Sequence, residues 1–166
     1  MDTIKNLEGT EAIKKIKELA GDLCLFCTYE NDNIVSRPMS TQAIDDDGTI
    51  WFFSRRDSDK NQQVKQDERV TLMYMDHGKQ HYLSLSGTAE VLKDRQKTEE
   101  LWDKIEEAWF PEGKDDPELT LIRFTPETGH YWDTKSGKLV SMLHIAMALV
   151  TGRENNNSID GDLNLK

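Results

Sequence analysis

Apolar and polar residues alternate over much of the first half of the chain, which is the pattern of half-buried strands. Leu23 to Tyr29 forms the first predicted strand, and Ile34 to Thr41 forms the second after a polar turn. A third strand, Thr49 to Ser54, follows the Asp-Asp-Asp-Gly turn at Asp45 to Gly48. This part of the chain is therefore predicted to fold as a series of antiparallel hairpins.

The second half of the chain continues the alternation with further short strands. Gly87 interrupts the longest of them and indicates a bend or a close approach of two backbones. Six or seven short strands with hairpin connections favour a closed or nearly closed antiparallel barrel, in a mainly β protein with flanking helices. The predicted strands are Arg69–Asp76, Gln80–Leu92, Leu119–Phe124 and His130–Asp133.

Helical spacing of apolar residues predicts four helices around this barrel. Trp102 and Trp109 fall on the apolar face of the third helix, so both are interpreted as core residues. The polar segment from 152 to 166 is predicted to be a mobile tail behind a single domain that spans 1 to 151. The helices are one beginning near Thr10, one from Asp59 to about Asp67 capped by Ser58, one from Asp94 to Trp109, and one from Leu139 to Val150.

Composition limits the classes of function. The chain has 166 residues, 36% of them hydrophobic and 31% charged, which is typical of one soluble domain with a core. A net charge of −10 argues against a general nucleic-acid or anionic-membrane binder. No apolar run approaches the roughly 20 residues of a membrane span. The first residues also lack the pattern of a secretion signal, so a cytoplasmic protein is expected.

Neither the cysteines nor the histidines indicate a metal or redox site. Cys24 and Cys27 are three apart on a predicted strand and would face opposite sides, which favours buried structural thiols. The four histidines share no ligand spacing, and no arrangement of a nucleophile with a base is evident. These histidines are His77, His81, His130 and His144.

Cations gather in an otherwise acidic chain where the second and third strands meet the second helix. Pro38 lacks an N–H group, so the strand around it is predicted to be an edge or to be bulged. The hairpin would bring Arg37 near Ser58 and Lys60. An arginine, a lysine, hydroxyl groups and the free N–H groups of a helix start make a phosphate site. The neighbouring aromatic residues indicate a planar ligand with a phosphate tail.

Several segments, in this order and spacing, resemble the flavin-binding split-barrel superfamily. They resemble most closely its general stress protein 26 family, which is related to pyridoxamine 5'-phosphate oxidase. The resemblance implies a split β-barrel that binds FMN at a homodimer interface, with FAD or a deazaflavin as less favoured ligands. The segments are Ser36-Arg37-Pro38-Met39-Ser40, Trp51-Phe52-Phe53-Ser54, Ser58-Asp59-Lys60, Ser86-Gly87-Thr88-Ala89-Glu90 and Tyr131-Trp132-Asp133.

The resemblance also implies roles for individual residues at the phosphate end of the flavin. Arg37 and Lys60 would hold the phosphate, and Ser54 and Ser58 would add hydroxyl donors. Asp59 belongs to the same binding segment. A dianionic phosphate suits an arginine fork combined with the point charge of a lysine.

The resemblance also implies which residues form the flat walls around the isoalloxazine ring of the flavin. The backbone at Pro38 and Met39 would line the isoalloxazine ring, with Phe53 beside it. Trp132 of the partner subunit would complete the pocket. The homodimer is also favoured by the aromatic and methionine content of so small a barrel.

The resemblance leaves three functions to weigh. The first is an FMN-dependent oxidoreductase, with a reduced nicotinamide as one candidate hydride donor. The second is a non-catalytic protein that binds flavin or senses redox state during stress. The third, a true pyridoxamine 5'-phosphate oxidase, ranks low, because Leu139 to Val150 is apolar where such oxidases carry an arginine-rich segment.

Overall fold

The computed structural model describes residues 3–134, 138–152 and 158–166. The strands are β1 (Thr3–Ile4), β2 (Leu7–Glu8), β3 (Leu23–Glu30), β4 (Asn33–Ser40), β5 (Ala43–Ile44), β6 (Ile50–Arg55), β7 (Arg69–Asp76), β8 (His81–Leu92), β9 (Leu119–Thr134) and β10 (Ser158–Asn164). The α-helices are α1 (Gly9–Leu19), α2 (Asp59–Gln66), α3 (Arg95–Leu101) and α4 (Lys138–Thr151). Short 3-10 helices span Lys104–Ala108 and Gly113–Asp115.

The strands form one sheet in the order β1-β10-β9-β8-β7-β3-β4, and β6 pairs with the first half of β9. Most neighbours are antiparallel, and β3–β4 and β7–β8 are hairpins, as predicted. The hairpin predicted between β4 and β6 does not form, because β6 pairs with β5 and β9 instead. The sheet is nevertheless mixed, because β10 runs parallel to β1 and β2. No ladder joins β4 to β6 within the described residues, so the sheet does not close. The prediction of a mainly β fold with helices is confirmed. The prediction of six or seven strands that are all antiparallel is wrong.

The core fills the space inside the curved sheet. Phe26 and Phe52 meet there edge to face, with their ring centroids 5.3 Å apart, and Tyr74, Leu85 and Phe124 are fully buried around them. Removing apolar surface from water at roughly 25 cal/mol per Å² is the main force that holds these strands together. A second apolar cluster lies at the end of β6 and contains Trp51, Phe53, Phe110, Leu119 and Leu121.

Gly87 lies where β8 and β9 change register. A Cβ atom at this position would lie 2.0 Å from the backbone oxygen of Thr125, which no side chain can occupy without a shift of the backbone. The prediction that Gly87 marks a close backbone approach is confirmed. Only glycine lets the two strands come this close.

The C-terminal segment is not the mobile tail that its polarity predicted. Ser158 to Asn164 pairs along its whole length with β9, and Leu163 is buried in the core. Asp160 and Asp162 instead bond the ring nitrogens of His130 on the outer surface. Polar and apolar residues thus alternate along Ser158–Asn164 as they do in a half-buried strand. The preceding part of the predicted tail, residues 153–157, lies outside the described residues.

The predicted helix from Asp94 to Trp109 ends early. Helix α3 stops at Leu101, and Trp102 takes an extended backbone conformation so that its ring packs 5.8 Å from that of Phe53. Trp102 is thus structural, as predicted. Trp109 was expected in the core, but it is exposed. The aromatic contact with β6 overrides the helical periodicity, because burial of an indole outweighs a few residues of helix propensity.

The two strands predicted at Leu119–Phe124 and His130–Asp133 are parts of the single strand β9. None of the helices in the described part of the chain is long and apolar enough to cross a membrane.

Candidate functional site

Strand β4 forms the free edge of the sheet, as Pro38 predicted. Its side chains alternate, with Val35, Arg37 and Met39 turned inward and partly or fully buried, and Pro38 exposed on the other face. An edge strand keeps one row of backbone groups free of a ladder partner. These groups can therefore meet a ligand that lies along β4.

The Arg37 guanidinium is fixed by neutral acceptors. Its Nη1 donates to Thr28 Oγ1 at 2.7 Å and to the Phe26 carbonyl at 3.4 Å, and its Nη2 donates to Gln63 Oε1 at 2.7 Å. A guanidinium has five N–H donors, so two remain for a ligand. Within the described residues no carboxylate forms an ion pair with Arg37. Its charge is thus positioned but not neutralised.

Lys60 lies in the first turn of α2, close to Arg37. Burial lowers the pKa of the Lys60 ammonium, and repulsion by Arg37 and then Arg55 lowers it further, although Asp57 and Asp59 oppose this. Two cations that repel each other in a half-buried site are stabilised by an anion between them. No ion pair of Lys60 occurs in the part of the chain that the structure describes.

The start of α2 leaves backbone donors free. Ser58 takes the N-cap position, but its hydroxyl donates to the Arg55 carbonyl at 2.7 Å instead of capping the helix. The N–H groups of Asp59 and Lys60 therefore have no hydrogen-bond acceptor within the described residues. Such N–H groups and the helix dipole favour a phosphate oxygen at this position.

These groups surround a cavity of about 560 Å³, which we call the phosphate cavity. Arg37, Ser58, Asp59 and Lys60 line it, together with Gln63. The structure thus brings together Arg37 and Lys60, as the sequence predicted, although β4 and β6 do not form the expected hairpin. The Asp59 carboxylate would repel a phosphate, so the backbone N–H is the group by which Asp59 fits the anion.

A second cavity of about 770 Å³, which we call the ring cavity, adjoins the first. Lys60 and Arg55 line both cavities and so mark the junction. Pro38, Met39 and Phe53 line the ring cavity, as predicted for the wall of a planar group. Volumes of roughly 300–1,000 Å³ are typical of pockets that enclose a cofactor or a small molecule.

Ser54 also lines the ring cavity, but its hydroxyl is engaged. Ser54 Oγ lies 2.7 Å from Thr120 Oγ1, and the Thr120 hydroxyl donates to the Ser54 carbonyl at 3.0 Å. Asn61 Nδ2 donates to the same Thr120 oxygen at 2.9 Å. Since the Thr120 proton points to the carbonyl, Ser54 donates to Thr120. In this arrangement Ser54 can accept a hydrogen bond from a ligand but cannot donate one.

Trp132 lines neither cavity of its own protomer. It lies on the outer face of β9, 46% exposed, with its ring 4.5 Å from that of His130. Its register partner on β8 is Tyr82, which in turn pairs with Met75 on β7. Trp132 thus belongs to an exposed apolar surface of the sheet.

Both thiols are buried on β3 and unpaired, as predicted. Burial raises the pKa of Cys24 to about 12, so this thiol is inert at neutral pH. Among the described residues no group of three or more potential ligands is arranged to hold a metal ion.

Two residues that the sequence reasoning missed belong to these cavities. Gln63 is buried and accepts a hydrogen bond from Arg37. The only feature of the sequence that could have indicated this role is its position one helical turn after Lys60. Glu106 lines the ring cavity and is also buried. Glu106 is not one of the apolar positions of the predicted helix, so the break after Leu101 had to be known before Glu106 could be placed.

Comparison with known proteins identifies the family. The family model described as pyridoxamine 5'-phosphate oxidase like matches residues 11–156. The chain belongs to this family. The match covers the phosphate and ring cavities and most of the sheet.

Two solved structures share the fold of this chain. A general stress protein 26 from a Jannaschia species is 26% identical, with a TM-score of 0.74 over 93% of this chain and 96% of that one. A general stress FMN/FAD-binding protein from Xanthomonas citri is 28% identical, with a TM-score of 0.65 over 76% of this chain and 90% of that one. The resemblance to general stress protein 26 is thus confirmed.

A relative by sequence is the protein bli-3 of Neurospora crassa, which is 25% identical over 129 residues. The match covers 72% of this chain and 62% of the length of bli-3. The chain therefore corresponds to less than two thirds of that relative.

The residues present fit a flavin mononucleotide. Arg37 keeps two N–H donors without an ion-pair partner in the described ranges, and Lys60 adds a half-buried ammonium beside it. The ring cavity offers an apolar wall at Met39 and Phe53 directly beyond Lys60. The phosphate of a flavin mononucleotide would lie between Arg37 and Lys60, and its planar ring would extend past Lys60 to the apolar wall of the ring cavity.

Proposed function

We propose that this protein binds FMN as a homodimer and uses it as an oxidoreductase of the general stress protein 26 type, on a split-barrel form of the observed sheet. The observation that carries the proposal is the grouping of Arg37 and Lys60 around one cavity that opens into a second one with an apolar wall. The FMN/FAD-binding relative from Xanthomonas citri supports a flavin as the ligand.

The phosphate end selects the mononucleotide. Arg37, fixed by Thr28 and Gln63, presents its two remaining N–H groups to the anion without reorganisation. Lys60 neutralises a second charge, and the N–H groups at the start of α2 donate hydrogen bonds to the remaining phosphate oxygen. Since the chain as a whole carries a net charge of −10, an anion is attracted to this local cationic site and repelled from most of the remaining surface.

The ring end orients the cofactor and excludes water. Bound FMN supplies the two-electron chemistry, which the protein only tunes. The β4 backbone at Pro38 and Met39 offers edge-strand groups to the polar rim of the ring, and Phe53 provides a flat contact. Positioning a substrate against this wall would account for catalysis.

The homodimer is supported by the outer face of the sheet. Exposed apolar side chains lie together on this face across β3, β7 and β9, and surfaces of this kind mark interaction sites. A partner docked there would cover them and bring its own Trp132 to the ring cavity. The exposed residues are Leu23, Met73, Met75 and Trp132.

Mixed dimers test whether Trp132 serves the partner subunit. Arg37→Ala and Trp132→Ala proteins should each bind FMN weakly. In a mixed dimer, one site carries both substitutions and the other carries neither. We expect half of the sites in purified mixed dimers to regain wild-type affinity in a fluorescence titration. If Trp132 served its own protomer, no site would be restored.

Two measurements separate the remaining functions. Mass spectrometry of the ligand that copurifies with the protein should identify FMN. Stopped-flow mixing of the FMN complex with a reduced nicotinamide should bleach the flavin absorbance. Absence of bleaching at any concentration would favour a non-catalytic flavin binder. Turnover of pyridoxamine 5'-phosphate would favour a true oxidase, which the exposed apolar side chains of α4, such as Met142 and Met147, do not support.

A further inference from the structure

The ring cavity is acidic at the end that lies away from Lys60. Asp22, Asp103 and Glu106 line this cavity and do not line the phosphate cavity. The Asp22 carbonyl accepts from the Thr41 backbone N–H, and Thr41 lies just beyond the Ser40 end of β4. The two ends of the combined site therefore carry opposite charge.

Glu106 is the most constrained of these carboxylates. Its residue is 8% exposed, and its carboxylate accepts a hydrogen bond from the neutral Gln42 amide. Within the described residues no lysine, arginine or histidine forms an ion pair with it. Burial raises the pKa of Glu106, Asp103 raises it further, and the Gln42 bond opposes both. A buried carboxylate without a cation is costly unless a ligand supplies the positive charge.

The same end of the cavity presents an aromatic surface. Trp109 lines the cavity and is 70% exposed, whereas its neighbour Phe110 is buried against Phe53 and Trp102. A large exposed indole beside a buried carboxylate is suited to a planar cation, which stacks on the ring and pairs with the charge. Neither Trp109 nor Glu106 takes part in holding the flavin phosphate.

We propose that the acidic end of the ring cavity binds a planar organic cation, such as a pyridinium or an aromatic amine, next to the flavin, and that Glu106 is its specificity-determining residue. This inference rests on the proposed flavin site, because it assigns to the substrate the part of the ring cavity that the flavin ring leaves open. Lys60 and Arg55 also line the ring cavity, but they do so at its junction with the phosphate cavity, so the cation is assigned to the other, acidic end. Anionic substrates are disfavoured by repulsion, a common source of specificity.

The proposal is tested with three probes that share a pyridine ring and differ in charge. The probes are 1-methylnicotinamide, which is a cation, nicotinamide, which is neutral, and nicotinate, which is an anion. They are titrated into the FMN-loaded dimer, and binding is followed by the flavin absorbance and by tryptophan fluorescence. We expect the cation to bind at least about tenfold more tightly than the anion, with the neutral probe between them.

Glu106→Gln should reduce this preference to less than about threefold, since the amide keeps the size of the side chain and removes its charge. Glu107→Gln is the matched control, because Glu107 is exposed and does not line the cavity, and it should keep the full preference. Asp103→Asn, at an exposed position of the same wall, should shift the preference in the same direction if Glu106→Gln does not fold. Tight binding of nicotinate, or an unchanged preference in Glu106→Gln, would overturn the proposal.

The outcome is distinguishable from a failure of the flavin site. Because Glu106 lines the ring cavity, the FMN affinity of Glu106→Gln is measured first, and the three probes are titrated into this variant only after it has been saturated with FMN. If the wild-type protein binds no flavin, the proposed function fails, and the order of the three probes can still be read from tryptophan fluorescence. If flavin binds and the three probes bind equally, only the cation site is excluded.

Discussion

The Nη2 atom of Arg37 donates a hydrogen bond to Oε1 of Gln63 over 2.7 Å, which ties the edge strand β4 to helix α2. Gln63 Oε1 also accepts from the Thr28 hydroxyl at 2.6 Å. Because the amide is neutral, it orients the guanidinium and leaves its charge for a ligand. Gln63 is therefore a positioning residue of the phosphate cavity.

Gln63→Glu should weaken FMN binding about tenfold or more, because a carboxylate at this position forms an ion pair with Arg37 and competes with the phosphate. Fluorescence titration of FMN measures the effect. Gln62→Glu is the control, since it makes the same charge change at an exposed position of the same helix. Equal losses in the two variants would mean that only the net charge matters and would contradict the positioning role.

The affinity for FMN should fall at alkaline pH, and Lys60 should be responsible. Burial and the nearby Arg37 lower the pKa of Lys60 from the ordinary value of 10.5. The protonated form binds the phosphate, so binding is complete below the lowered pKa and is lost as the pH rises through it. Lys60→Arg keeps its charge over this range and should not show the loss. Parallel pH profiles for wild type and Lys60→Arg would contradict this assignment.

Glu106 should limit the stability of the ligand-free protein at neutral pH. Its pKa is raised above 4.5 by burial, so folding favours the protonated carboxyl. The stability that the neutral form contributes is fully present below pH 4.5 and is lost as the pH rises through the raised pKa. Thermal unfolding should show Glu106→Gln melting above wild type at neutral pH and level with it near pH 4.5. A Glu107→Gln variant should have the melting temperature of the wild type at both pH values.

Gly87→Ala should destabilise the fold by about 1–3 kcal/mol, because the added Cβ would meet the Thr125 backbone oxygen at 2.0 Å. Urea unfolding of the variant measures the change. Gly21→Ala provides the comparison, since no atom lies within 4 Å of a Cβ at that exposed position. A small and equal effect at both glycines would mean that β8 and β9 are not as close as described.

The local parts of the fold and of the site could be predicted from the sequence. The two-residue period of β4 places Arg37 and Met39 on one face and Pro38 on the other, and the short connection after β6 returns the chain to Lys60. These relationships depend on neighbours along the chain. The cations that line the phosphate cavity could therefore be named from the sequence, although the hairpin expected between β4 and β6 does not form.

Relationships that depend on distant contacts were not predictable. The break of the helix after Leu101 requires Phe53 as the packing partner of Trp102. The strand at the C-terminus requires β9 as its partner, so its polar residues resemble a tail in the sequence. The role of Gln63 requires the contact with Arg37. In each case tertiary packing decides between local patterns that are equally plausible.

The paired action of Arg37 and Lys60 on a phosphate is tested most directly by comparing FMN with riboflavin, which has the same ring and no phosphate. Isothermal titration should show that Arg37→Ala and Lys60→Ala each weaken FMN binding at least about tenfold and change riboflavin binding less than about twofold. Lys65→Ala, at an exposed position of the same helix, should affect neither ligand. Equal losses for FMN and riboflavin, or wild-type FMN binding by both variants, would contradict the account.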